Sequence, residues 1–325
     1  MVKSCFLCEI GITKMSATSK QILRRRVVGG NVWLSHETSE PGYLATLPLH
    51  DLRYEVMASE EAVGRAMLDE ITNAAAAKNG SLVIVIVGGR GGQALHRILG
   101  EMAQTSEHDE LLGRLNVFTQ DALAPLRMDN GLSFLRDFER LLGPDFFRKV
   151  KTFSSLRTDA EDLETELAAY VQRLESLGGI DIFFLGLGPE AGGASHLCYI
   201  KPGSGATYSD AGGLIPLSQS ILEHHIKKFK AGGTDVTETD EAECRAARHI
   251  LTLGPAAILG ARRVVQSIVD ADTAPAKRES YRNLLHTEIA ADAETREQQF
   301  DQNPGLWLRV HPNVRSLILK NVLSA

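Results

Sequence analysis

The sequence is poor in cysteine, carries no net positive charge and contains no long apolar run. Its four cysteines are too few to form a disulfide framework in a chain of 325 residues. Cys5 and Cys8 form a single CxxC pair without a second half or a nearby histidine, so we expect a reduced pair and no metal. The formal net charge of −6 argues against nucleic-acid binding. No apolar run approaches the roughly 20 residues that span a bilayer, so we expect a soluble, cytoplasmic protein.

The N-terminal part of the chain differs in composition from the rest. Basic residues, including the arginines at 24–26, lie among serines and threonines, a pattern weakly compatible with a mitochondrial transit peptide. We interpret residues 1–50 as an N-terminal extension and place the start of the globular part near Leu52. Residues 51–325 contain no internal repeat and no low-complexity linker, so we predict one domain there.

Predicted strands and helices alternate along the rest of the chain. The apolar patterns predict strands over 81–87, 115–118, 180–185, 249–253, 264–269 and 315–319, and helices over 60–73, 93–102, 133–142, 160–177 and 275–291. Such alternation is typical of a parallel sheet covered by helices on both faces. We therefore predict an α/β protein with a Rossmann-like, three-layer α/β/α fold and a mostly parallel sheet.

The stretch 178–204 is the most informative part of the sequence. A buried apolar strand over 180–185 runs into a loop with glycines at 186, 188, 192 and 193, and this loop leads to His196. Open α/β sheets bind ligands just outside the carboxyl ends of their strands, which makes His196 a candidate functional residue. The alternative is a structural loop whose histidine is merely solvated.

A second glycine loop follows the predicted strand over 81–87 and consists of Gly88, Gly89, Arg90, Gly91 and Gly92. A strand, a glycine turn and a helix N-terminus expose backbone N–H groups and the positive end of the helix dipole to an anion. Arg90 suits a phosphate monoester, which a guanidinium binds through two parallel hydrogen bonds. A plain turn that needs glycine for its dihedral angles is the alternative.

Two nucleotide-binding motifs fit this loop poorly. It is not a Walker A loop, because no Gly-Lys-Ser/Thr follows it. Gly89, Gly91 and Ala94 match the dinucleotide fingerprint loosely, but the next acid, Asp121, lies about 30 residues on instead of about 20. We therefore expect no nicotinamide or other cofactor.

Several motifs, in the same order along the chain, resemble those of the glucosamine-6-phosphate deaminase and 6-phosphogluconolactonase family of sugar-phosphate enzymes. They are VIVIVGGRGGQAL, VFTQDALAPL with NGLSFLRDF, GGIDIFFLGLGP, SHLCYIKPGS, HILTLGPAAIL and WLRVHP. The resemblance covers roughly Leu52 to the C-terminus. It implies a small-molecule sugar phosphate as the ligand and no nucleic-acid or membrane partner, and it is compatible with a homo-oligomer.

The resemblance also implies roles for individual residues. Asp121 matches the carboxylate that moves a proton between C2 and C1 of the opened sugar, and His196 matches the histidine that opens the ring. The turn at 88–92 matches the phosphate loop. Lys277 matches a phosphate-binding lysine, and Lys228 stands near the place of a phosphate-binding arginine. A lysine binds phosphate as a point charge, with less directionality than arginine.

The sequence departs from the deaminase pattern around the histidine. The two carboxylates that flank it in the deaminases are replaced by Ala194 and Lys201, and the acid after the catalytic aspartate by Ala122. The loop before His196 is about four residues longer by insertion. Losing the acid that orients a catalytic histidine costs several decades of rate in other relays, so His196 needs a substitute partner. Glu190 lies in the inserted loop and is the residue that we consider for this role.

Three functions follow, in this order of preference. The first is an amino-sugar phosphate isomerase or deaminase with Asp121 as its base. The second is a sugar-lactone phosphate hydrolase, in which His196 activates water. The third is a protein that binds a sugar phosphate at a degenerate site without turnover.

Overall fold

The computed structural model describes residues 23–36, 42–231 and 234–324. The CxxC pair lies outside these residues. Within them, no helix is long and apolar enough to cross a membrane.

Strands and helices alternate over most of the described chain. The strands are β1 (Arg24–Val28), β2 (Asn31–Ser35), β3 (Arg53–Met57), β4 (Leu82–Ile86), β5 (Leu115–Thr119), β6 (Asp121–Ala124), β7 (Thr152–Ser154), β8 (Ile182–Leu185), β9 (Gly188–Pro189), β10 (Ser195–His196), β11 (Asp210–Pro216), β12 (His249–Leu253), β13 (Arg263–Ile268) and β14 (Val314–Leu319). The α-helices are α1 (Tyr43–Thr46), α2 (Glu60–Ala77), α3 (Arg90–Ala103), α4 (Asp109–Leu112), α5 (Phe134–Lys149), α6 (Leu163–Ser176), α7 (Gln219–Ala231), α8 (Glu238–Arg245), α9 (Pro255–Leu259), α10 (Ala276–His286) and α11 (Ala293–Gln302). Short 3-10 helices cover Ala191–Gly193, Pro304–Val310 and Lys320–Leu323.

Seven strands form an entirely parallel sheet in the order β3-β14-β13-β8-β4-β5-β7. The central strands β4 and β8 are buried along their whole length. Successive side chains of β8 enter different cores, since Phe183 joins one apolar cluster and Phe184 the other. Helices α2, α3 and α5 pack into the cluster of Phe184, whereas α6, α10 and α11 pack into that of Phe183. The predicted three-layer α/β/α fold with one domain is confirmed.

A second sheet, of five antiparallel strands, has the order β1-β2-β11-β12-β6. Residues 249–253 were predicted among the parallel strands, but β12 lies here, between β11 and β6. The globular part was also predicted to start near Leu52. The structure differs, because β2 pairs with β11 and buries Trp33 completely. The indole Nε1 of Trp33 donates a hydrogen bond to the carbonyl oxygen of Ser204 at 3.1 Å.

Local signals explain where the site-forming helices begin. The hydroxyl of Ser133 caps α5 by accepting a hydrogen bond from the N–H of Arg136 at 3.2 Å. Helix α3 begins at Arg90, directly after the left-handed Gly89 (φ 75°), and therefore includes most of the glycine turn that the sequence analysis read as a loop. Helix α7 was not predicted, although it supplies one wall of the site.

Candidate functional site

A cavity of about 270 Å³ opens at the carboxyl ends of the parallel strands. Its walls come from the residues that follow β4, β5, β8 and β13, together with α7 and the start of α10. The position is the one at which open α/β sheets bind ligands. The volume is near the lower end of the range for small-molecule sites, roughly 300 Å³ and above.

The glycine turn after β4 forms one wall of this cavity. Gly88, Arg90 and Gly91 line it, and the start of α3 directs its free amides and positive dipole end toward it. Gly89 packs so closely on Lys228 that a Cβ there would lie 2.2 Å from the lysine Nζ. Gly92 lies behind the wall, because its N–H donates to the carbonyl oxygen of Gly89 at 3.1 Å.

Cationic groups gather at the end of the cavity beside this turn. Lys277 Nζ pairs with Asp270 Oδ1 at 2.5 Å, and both side chains are largely buried. Burial, and then the charge of Lys277, lower the pKa of Lys228. Arg90 borders the same end but its Nη2 is held 2.6 Å from Glu60 Oε1. We call the group of Arg90, Lys228 and Lys277 the cationic end.

Sequence reasoning missed two members of this wall, His224 and Asp270. Burial lowers the pKa of His224, and the charges of Lys228 and Lys277 lower it further. For Asp270, burial acts to raise the pKa, but Lys277 outweighs it and the net shift is downward. The only sequence signal for Asp270 is its place two residues beyond the end of β13, as Asp121 stands beyond β5.

Asp121 lies two residues beyond β5, at the start of β6, and is 3% exposed. Burial raises the pKa of this carboxyl to about 7, although a hydrogen bond from Gln120 and the charge of Lys228 act in the opposite direction. None of the described residues hydrogen-bonds to its Oδ2. Asp121 is therefore a carboxyl group that exchanges its proton near neutral pH, as a general base requires.

His196 also lines the cavity, from the hairpin formed by β9 and β10. Its Nδ1 is 2.6 Å from Oε1 of Glu190, so the structure brings together the two residues that the sequence separated by the insertion. A carboxylate only accepts hydrogen bonds, so Nδ1 carries a proton, and in the neutral imidazole Nε2 is then the acceptor. Lys201 does not take part in this pair: its Nζ donates to the carbonyl oxygen of Pro216 at 3.0 Å.

A strained turn follows His196. Leu197 and Ile200 exchange backbone hydrogen bonds of 3.2 and 2.8 Å around Cys198 and Tyr199, whose φ values are 50° and 58°. Both central residues of a type I′ turn have positive φ, a conformation that favours Asn and Gly. The turn brings both side chains to the cavity, and the ring of Tyr199 stacks on His196 with centroids 5.1 Å apart. The turn could not be predicted from the sequence, since neither residue type favours it.

Together the sheet and the cavity define a three-layer α/β protein with a candidate active site at the carboxyl edge of its parallel sheet. In sequence and in fold, the chain resembles the glucosamine-6-phosphate deaminase and 6-phosphogluconolactonase family, and the predicted resemblance is confirmed. No protein-family model matches the chain.

Curated relatives match parts of the chain. A glucosamine-6-phosphate deaminase of Staphylococcus epidermidis is 25% identical over 155 residues, which is 48% of this chain and 51% of that protein. One from Parabacteroides distasonis is 39% identical over 56 residues, which is 17% of this chain and 19% of that protein. The chain thus spans about half or less of the length of these relatives.

Solved structures match over most of the chain. A monomeric glucosamine-6-phosphate deaminase aligns with a TM-score of 0.62 and 19% identity, covering 83% of this chain and 98% of that one. The 6-phosphogluconolactonase from Trypanosoma cruzi aligns with a TM-score of 0.58 and 16% identity, covering 86% of this chain and 100% of that one. At these identities the likeness shows a shared fold and does not separate the two activities.

Proposed function

We propose that the protein is an amino-sugar phosphate isomerase and deaminase. The observation that carries the proposal is Asp121, a buried carboxyl group with a pKa of about 7 in the cavity wall. A base with this pKa is substantially ionised at neutral pH and still basic enough to accept a proton from carbon. The names of the curated relatives support the same reaction.

The cavity gives the substrate one orientation. Its phosphate binds at the cationic end, to Lys228, Lys277 and the first amides of α3. The sugar then extends toward Asp121 and His196. His196, through Nε2, exchanges a proton with the ring oxygen and opens the pyranose, while Glu190 holds its tautomer.

The proton transfer is then carried by Asp121. Its carboxylate removes the proton from C2 of the open-chain amino aldose, and the electron pair forms a C1–C2 double bond as O1 takes up a proton. Return of the proton to C1 gives a ketose with a C2 imine. Water adds to this imine, and the C–N bond breaks to release ammonia and the ketose phosphate.

The test uses a panel of hexosamine 6-phosphates in D₂O, with ammonia release and deuterium at C1 of the ketose as readouts. We expect both for at least one member of the panel, and we expect Asp121→Asn to abolish both while phosphate affinity changes less than about threefold, because the cationic end is intact. Phosphate binding without ammonia or exchange on any member would contradict the proposal.

A second candidate is a sugar-lactone phosphate hydrolase, favoured by one observation. His196 is paired with a single carboxylate and has Lys201 where the deaminases have a second acid. Here His196 would take a proton from water as the hydroxide adds to the lactone carbonyl, and the imidazolium would return that proton to the ring oxygen as the ring C–O bond breaks to give the open acid. Acid release from 6-phosphogluconolactone, lost in His196→Ala but retained in Asp121→Asn, would establish it.

The third sequence-based alternative, binding without turnover, makes a separate prediction. Sugar phosphates would then bind at the cationic end, and neither Asp121→Asn nor His196→Ala would change any product, since none would form. The same panel distinguishes this case.

A further inference from the structure

The inserted loop over residues 191–194, which joins Glu190 to β10, is held by helix α10. The hydroxyl of Ser280 donates a hydrogen bond to the carbonyl oxygen of Ala194 at 2.7 Å. The amide Nδ2 of Asn283 donates to the carbonyl oxygen of Gly193 at 3.0 Å. Two successive carbonyl groups of the loop are therefore held by side chains of one helix.

The backbone of this loop also packs tightly against α10. Ser280 is fully buried, and Gly193 has φ 73°. A Cβ on Gly193 would lie 2.3 Å from Nδ2 of Asn283 and 2.9 Å from Cγ of Glu279, so the backbone itself packs on the helix. A residue with a side chain at this position would separate the two elements.

Hydrogen bonds on both sides of the loop fix the backbone of Glu190 and of β10. The N–H of Glu190 donates to the carbonyl oxygen of Ala194 at 2.9 Å, so the carbonyl that Ser280 holds is also the one that fixes the Glu190 backbone. On the other side, Asn303 Oδ1 accepts from both the N–H and the hydroxyl of Ser195 at 2.9 Å. The path from α10 to the backbone of Glu190 therefore consists of two hydrogen bonds, which meet at the Ala194 carbonyl oxygen.

Helix α10 also contributes to the cationic end. Lys277 lies in its first turn, and Ser280 and Asn283 follow at intervals of three residues, which places all three along one side of the helix. Lys277 reaches the cavity and pairs with Asp270, while Ser280 and Asn283 contact the loop. One helix thus fixes the relative positions of the phosphate-binding lysine and of the Glu190 loop.

We propose that Ser280 and Asn283 are positioning residues that act through Glu190 on the tautomer of His196. They hold the loop so that the Glu190 carboxylate stays on Nδ1 and leaves Nε2 as the hydrogen-bond acceptor. Without them, the half-buried Glu190 is free to turn to solvent, and the imidazole loses its fixed tautomer. The effect of these residues on catalysis rests on the proposed function, whereas their effect on the tautomer of His196 does not.

The direct test is ¹⁵N NMR of the imidazole of His196 in the full chain, a measurement that needs no turnover. We expect the Nδ1–H tautomer to dominate in the native protein, and both tautomers to be populated in Ser280→Ala/Asn283→Ala. The control is Arg282→Ala, an exposed residue of the same helix, which should leave the native spectrum unchanged. An unchanged tautomer in the double variant would overturn the proposal.

Because Ser280 is buried, Asn283→Ala alone serves if the double variant does not fold. In a turnover assay, we expect it to lower kcat about tenfold with KM within about twofold, as a small misplacement of a catalytic group does. In a Glu190→Gln background the same change should have no further effect, because the group it positions is already lost. A further tenfold loss of kcat in the Glu190→Gln background would overturn the positioning role. If the variants change the tautomer but the native protein shows no turnover, only the proposed function is overturned.

Discussion

Gly188 and His196 face each other across the β9–β10 hairpin so closely that a Cβ on Gly188 would lie 1.7 Å from the imidazole Nε2. Glycine at this position is thus a steric requirement for the imidazole to occupy its place. The ring is confined further by Glu190 at Nδ1 and by Tyr199 on its face. The imidazole that the proposed reaction needs is held by contacts on three sides.

Replacing this glycine should displace the imidazole without unfolding the protein. In Gly188→Ala, the added methyl group cannot coexist with the ring in its present position, so we expect turnover to fall about 100-fold. The matched control is Gly186→Ala, where an added Cβ would meet its nearest atoms at an ordinary 3.9 Å. Steady-state kinetics and a thermal melt of both variants check this. Equal loss of activity in the two would contradict it.

The pKa of Asp121 predicts how turnover depends on pH. Because the carboxylate is the base and its pKa is about 7, activity should rise with pH through about 7 and then level off. A rate that is already at its maximum at pH 5 would show that Asp121 is ionised there and that burial does not control it.

The same pKa predicts a pH dependence of stability. Between roughly pH 4 and 7 the folded protein holds a proton on Asp121 that the unfolded chain has released, so the free energy of unfolding falls as pH rises through this window. The contribution amounts to up to about 4 kcal/mol. Asp121→Asn lacks it, so at pH 8 we expect the variant to be more stable than the native protein, whereas at pH 4 the two should be similar. Urea titrations at the two pH values measure this difference.

The sequence predicted the parallel sheet better than the antiparallel one. Strands β4 and β8 are buried on both faces and therefore appear as continuous apolar runs. By contrast, β1 and β2 lie in a basic segment, and β2 becomes a strand by pairing with β11, about 180 residues further on. Such pairing is set by tertiary contacts and leaves little local signal.

The residues of the candidate site likewise divide into those with a local sequence signal and those that tertiary packing places there. Asp121 and the glycine turn were found because they closely follow predicted strands, and His196 because a glycine loop leads to it from another predicted strand. Glu190 was proposed as a partner of His196 because it lies in the same loop, but its distance from the imidazole depends on how the insertion folds. His224 could not be found in this way, because it lies on α7, which was not predicted. The position of α7 beside the cavity depends on tertiary packing, which the sequence does not show.

The early strands make a truncation informative. The sequence predicted that residues 1–50 form an extension outside the globular part, but removing residues 1–45 deletes β1, β2 and the fully buried Trp33. Loss of a buried tryptophan alone costs about 3–5 kcal/mol, so we expect this truncated chain to be unfolded or strongly destabilised. A chain that begins at Leu23 keeps both strands and should bind inorganic phosphate as the full chain does. Circular dichroism and calorimetry of the two chains decide the point.

The cationic end predicts unequal roles for two adjacent lysines. Lys228 lines the cavity against Gly89, whereas Lys227 is exposed on the other side of α7. Lys228→Met should weaken binding of a sugar phosphate about 10- to 100-fold, because a charge-assisted hydrogen bond is lost inside a partly buried site. Lys227→Met should change it less than about twofold. Calorimetric titration checks both, and an equal effect of the two would place the phosphate elsewhere.

The strained turn after His196 predicts an unusual order of stabilities at Tyr199. In the middle of a helix or strand, alanine is preferred to glycine, but at φ 58° the order reverses because a Cβ is disfavoured there. We therefore expect Tyr199→Gly to be more stable than Tyr199→Ala by about 1 kcal/mol, while both lose the ring that stacks on His196 and both lose activity. Tyr199→Phe, which keeps the ring and the strain, should retain most of the activity. Denaturant titration gives the free energies of unfolding, and a Tyr199→Ala variant as stable as Tyr199→Gly would mean that the turn relaxes and is not held in place by its surroundings.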